Sequence, residues 1–87
     1  MHIYALKDDI LVAEFEDGGV AFDTNSRRCL ELNTTGVFIL GHLDGIKTVK
    51  MVIGKMAEQF EQPNEKIRQD LEIFLDDLHE RGWIHVT

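Results

Sequence analysis

Residues 10 to 32 read ILVAEFEDGGVAFDTNSRRCLEL, and the alternation of apolar segments with turn formers in this run decides the fold. Ile10 to Phe15 is a short apolar segment, and Glu16-Asp17-Gly18-Gly19 after it is a turn cluster rich in residues that tolerate positive φ. Val20 to Asp23 resumes an extended pattern with Val20 and Phe22 on one face, and Thr24-Asn25-Ser26 turns the chain again. In Arg28-Cys29-Leu30-Glu31-Leu32 the leucines point one way and Cys29 and Glu31 the other. Strands over 10–15, 19–23 and 28–32 with tight connections form an antiparallel meander, whose apolar face must be covered by other elements.

The rest of the chain supplies the cover. Asn33 or Thr34 caps a helix predicted over 35–43, which carries Val37, Phe38, Ile39, Leu40 and Leu43 and stops at Asp44-Gly45. Thr48 caps a second helix over 48–60, where Val49, Val52, Ile53, Met56 and Phe60 form one amphipathic stripe. A third helix over 64–81 starts after Pro63, buries Ile67, Leu71, Phe74, Leu75 and Leu78, and closes at Gly82. Trp83 to Val86 reads as a short extended tail pinned against the body. Three strands followed by three helices outline an α+β, winged-helix-like domain.

Eighty-seven residues have material for one core, so residues 1–87 read as a single domain. Met1 to Lys7 lacks a secretory pattern, and no apolar run is long enough to cross a bilayer. The lone Cys29 has no internal disulfide partner, which fits a reducing compartment; the expected location is the cytoplasm. Sixteen acidic against nine basic residues give a formal net charge of −7, which opposes docking on phosphate or on an anionic membrane. The third helix sharpens this: Glu65, Asp70, Glu72, Asp76, Asp77 and Glu80 outweigh Lys66, Arg68 and Arg81, the wrong chemistry for a helix that reads DNA. No nucleic acid and no membrane is expected as a partner.

Catalytic constellations are missing from the sequence. His2, His42, His79 and His85 form no i, i+4 pair and no metal-ligand motif, and the glycine pairs fit no phosphate-binding loop. The expectation is a non-enzymatic domain that needs no cofactor or metal.

The run from Asp23 to Gly36, with its Leu-Asn strand end and Thr-Gly helix start, then Leu43-Asp44-Gly45 and Thr48-Val49, resembles the PqqD-like family. Asp70 to Leu75 is similar to that family's Asp-x-x-x-Phe-Leu helix, and Gly82-Trp83-Ile84 to its closing segment. The resemblance spans residues 10 to 86. Cys29 and Leu30 stand where aromatics are common, Lys50-Met51 where acidic residues often follow, and Thr35-Gly36 in place of the alanines of the pyrroloquinoline quinone member itself. It implies a peptide chaperone that binds the leader of a ribosomally made precursor peptide and presents it to a modifying enzyme, often a radical S-adenosylmethionine (SAM) protein. The leader is added as a strand beside the third strand, in a cleft against the third helix. That assigns Arg28, Cys29, Leu30, Glu31 and Leu32 to backbone pairing and Asp70, Ile73, Phe74 and Asp77 to side-chain contact.

Two features of the residues themselves bear on this. Strand addition needs an open sheet edge, and the strand before the helices can be one, although Arg28 and Glu31 would also serve to blunt an edge against aggregation. Ile73 lies off the stripe of the third helix, on the flank that carries Asp70 and Asp77. It is either an ordinary exposed aliphatic residue or the apolar floor of a pocket with acidic walls. A winged-helix regulator that binds nucleic acid and a structural subunit held permanently on an enzyme are the alternative functions.

Overall fold

A computed structural model describes residues 2–87. Described in chain order, the elements are β1 (Ile3–Leu6), β2 (Ile10–Phe15), β3 (Gly18–Asp23), β4 (Cys29–Leu32), α1 (Thr34–Gly41), β5 (Asp44–Thr48), α2 (Val49–Phe60), α3 (Asn64–Arg81) and β6 (Ile84–Val86). The expected meander is present as the antiparallel sheet β2-β3-β4. Phe15 pairs with Gly18 across a two-residue turn, one residue tighter than the sequence suggested. Glycine is required there, because a Cβ on Gly18 would stand 2.3 Å from the Leu32 carbonyl oxygen and one on Gly19 2.4 Å from that of Ala13.

The second connection is fastened by Asp23. Its carboxylate accepts from the Ser26 hydroxyl at 2.8 Å and from the Asn25 N–H at 2.9 Å. The Ser26 hydrogen bond is the main cause of an Asp23 pKa below the ordinary aspartate value.

A second antiparallel sheet, β5-β1-β6, accompanies the first and was not expected from the sequence. The C-terminal tail is its strand β6, with Tyr4 opposite Val86 and Leu6 opposite Ile84. Residues Asp44 and Gly45, read as a helix stop, begin β5 instead. Asp44 accepts the N–H groups of Ile46 and Lys47, both at 3.0 Å, and Gly45 takes φ +77°, so the chain bends straight into a strand. Helix α1 consequently ends at Gly41, two residues earlier than expected.

The caps follow the sequence. The Asn33 side chain accepts from the Gly36 N–H at 2.8 Å, the Thr48 hydroxyl from the Met51 N–H at 3.2 Å, and Gly82 closes α3 with φ +75°. The core joins both sheets to the helices. Trp83, Met56, Ile67, Leu71 and Leu78 are its largest fully buried side chains, and Ala21 lies on the covered face of the first sheet. Among the described residues no helix is long and apolar enough to cross a membrane.

Candidate functional site: an open sheet edge beside an apolar groove

Among the described residues strand β4 pairs with β3 alone, so its other side is a sheet edge. Hydrogen-bond alternation tells which backbone groups point away from the sheet. The Thr24 N–H donates to the Asp9 carbonyl, which turns residues 24, 22 and 20 toward β2 and leaves residues 23, 21 and 19 for β4. The Asp23 N–H accordingly donates to the Arg28 carbonyl at 2.9 Å, and Ala21 and Gly19 face Leu30 and Leu32. Leu30 and Leu32 therefore spend their backbone groups inward, while the N–H and C=O of Cys29 and Glu31 point out from the free edge. Four unpaired groups in one row are a template for another strand.

Beside this edge runs a groove of about 680 Å³, bounded by the end of β4, the start of α1, the last turn of α2 and the face of α3. Six of the nine residues singled out from the sequence line it: Glu31 and Leu32 on the strand side, and Asp70, Ile73, Phe74 and Asp77 on α3. Arg28, Cys29 and Leu30 do not line it. Leu30 packs on the core, and Arg28 and Cys29 are exposed at the strand's start. Ile73 is 70% exposed and Phe74 half-buried, so the first offers a free apolar surface while the second also supports the core.

The α1 and α2 side of the groove was missed. Asn33, Thr35, Gly36 and Ile39 from α1 and its cap, Met56, Phe60 and Gln62 from α2 and after it, and Lys66 and Ile67 from α3 complete the lining. In the sequence Met56 and Phe60 belong to a stripe, and a stripe does not tell which part of a buried face stays uncovered.

Charge in the groove is mostly negative. Three carboxylates (Glu31, Asp70 and Asp77) face one lining ammonium, that of Lys66. Lys66 sits 3.4 Å from Asp70 and Arg81 3.1 Å from Asp77, both pairs exposed enough to contribute only a few tenths of a kcal/mol and to be displaced by a better partner. The floor is apolar, the walls acidic and the rim a row of unsatisfied backbone groups. Among the described residues no three His, Cys, Asp or Glu side chains gather closely enough to hold a metal ion.

Comparison with known proteins bears on this arrangement. The family model described as coenzyme PQQ synthesis protein D (PqqD) matches residues 18–84, which include the meander's last two strands, the groove and all three helices. A search of curated protein sequences finds no significant match. Among solved structures the chain is similar to TbiB1 in complex with the TbiA(beta) leader peptide, at TM-score 0.82 and 17% identity over 93% of this chain and 94% of that one. It is also similar to a lasso peptide synthetase B1 complexed with the leader peptide, at TM-score 0.79 and 23% identity over 94% and 96%. The heterocyclase TruD contains the same fold in 12% of its length, matching 100% of this chain at TM-score 0.69 and 20% identity. These likenesses concern the fold, while the family match covers residues 18–84 in sequence: the chain belongs to the PqqD family.

Proposed function

We propose that the protein captures an extended leader peptide as an added strand on β4 and hands it to an enzyme that modifies the rest of that peptide. The observation that carries this reading is the row of outward backbone groups at Cys29 and Glu31 lying beside an apolar groove. Backbone bonds along the edge supply sequence-independent affinity, and the groove selects side chains at alternate positions of the added strand. The leader binding of TbiB1 and of the lasso peptide synthetase B1, which share this fold, supports the same use here.

The role is non-catalytic and cytoplasmic, and the partner is a separate modifying enzyme. A radical SAM protein is the partner class that the family resemblance favours. Structural neighbours that belong to lasso peptide synthesis and heterocyclisation widen the choice to other modifying enzymes. The leader's chemistry follows from the groove: aliphatic side chains on every second residue to cover Ile73 and Phe74, and basic residues nearby to meet Glu31, Asp70 and Asp77.

Selection from a random peptide library displayed on phage tests this, and it does not require the natural leader in hand. Enriched peptides are expected to alternate apolar residues within a basic context and to compete for one site. Enrichment of helical amphipathic or acidic sequences, or of nothing, would contradict the reading.

A further inference from the structure

A second recess, of about 390 Å³, lies across Phe60 from the groove, between the β2–β3 turn, α1 and the last turn of α2. Phe60 lines both. Its walls include the rings of Phe15, Phe38 and Phe60; Phe38 and Phe60 meet edge to face with centroids 5.3 Å apart. Phe15 is 57% exposed, so its ring leaves apolar surface free at the recess. Glu14 and Glu16 stand at the mouth, no lysine or arginine lines the recess, and neither carboxylate enters an ion pair among the described residues. His42 completes the wall, its ring centroid 4.4 Å from that of Phe38, and its Nδ1 is buried with no hydrogen-bond partner among the described residues. Burial also holds the His42 pKa below the ordinary histidine value, so the ring is neutral at pH 7.

We propose that this recess is an arginine subsite, which takes a guanidinium from the same peptide that pairs with β4, at a position beyond the Leu32 end of that strand. A guanidinium is flat, stacks on aromatic rings and forks onto carboxylates. Lysine offers a hydrated point charge and no plane, so it matches less of the site. The two recesses adjoin, which assigns the arginine to the same peptide: Leu32 and Asn33 line the first, Thr34 lines the second, and Phe60 is the wall between them. This last assignment rests on the proposed capture at β4; the chemistry of the recess does not.

Two measurements separate the parts. Amide NMR titration with Nα-acetyl-arginine amide is expected to shift Phe15, Phe38 and Gly41 saturably. The neutral isostere Nα-acetyl-citrulline amide binds about fivefold more weakly, as two partly exposed ion pairs predict. A Glu14→Gln/Glu16→Gln variant, altered only at exposed positions, abolishes the difference between the two probes. Equal binding of both probes by the wild type, or shifts confined to the surroundings of Ile73, overturns the subsite. In the second measurement, peptides enriched by selection carry an arginine flanking the paired segment, and its change to citrulline costs about fivefold in wild type and nothing in the Gln/Gln variant. Peptides that lose binding with Ile73→Glu yet show no such arginine overturn the subsite and leave the capture at β4 standing. Arginine amide binding as expected, with no peptide captured at β4, overturns the assignment to the same peptide.

Discussion

Ile73→Glu is expected to leave the protein folded and to weaken capture of a selected peptide about ten- to a hundredfold, the equivalent of roughly 1.5–3 kcal/mol for one aliphatic anchor. The substitution touches little of the free protein, because Ile73 is 70% exposed and lies off the buried stripe of Ile67, Leu71, Leu75 and Leu78. Its local cost is like-charge repulsion from Asp70, Asp76 and Asp77, three or four residues away, on the order of a few tenths of a kcal/mol each. The binding effect is several times larger, since the new charge removes the apolar floor and is desolvated when the peptide arrives. Phe74→Ala is the wrong probe, for Phe74 also packs against the core. Thermal melts with calorimetric titration of the same peptide separate the two effects. A variant that keeps wild-type affinity would place the peptide on another face.

Glu31→Pro attacks the other half of the site. The Glu31 N–H points away from β3, so a proline there removes no bond of the existing sheet, as tolerated on an edge strand. It removes one donor from the free edge and sets a ring where the added strand's carbonyl would lie. An unsatisfied carbonyl in the complex costs about 1–3 kcal/mol, so affinity falls about five- to a hundredfold. Glu31→Ala keeps the N–H and loses only the acidic wall; its loss is expected to be no more than about fivefold. Leu30→Pro breaks a bond to Ala21 instead and destabilises the sheet itself. If alanine and proline at position 31 weaken binding equally, the side chain matters and the backbone edge does not.

How far the sequence discloses all this depends on how local each signal is. The meander is legible because both its connections are short and rich in turn formers, and the pairing of β2, β3 and β4 follows from them. Helices α2 and α3 are legible from stripes and caps contained within each segment. The second sheet is not, because β1 pairs with β6 from the opposite end of the chain and its strands are three to five residues long. Asp44-Gly45 shows the ambiguity in small compass: an acceptor side chain followed by a glycine at φ +77° suits a helix end and a strand entry alike. The groove divides in the same way. Ile73 declares itself by leaving the stripe of its own helix, whereas Met56 and Phe60 stay on theirs and give no sign that they also line the groove.

Hydrogen exchange at single amides reads the central claim directly, since it follows the two N–H groups that are to form the new bonds. In the free protein the Leu30 and Leu32 amides are expected to exchange slowly and those of Cys29 and Glu31 fast. With a selected peptide at saturation, the account predicts that Cys29 and Glu31 become protected while Leu30 and Leu32 change little. Cys29 and Glu31 amides that stay fast in the saturated complex would contradict strand addition at β4, whatever else the peptide touches.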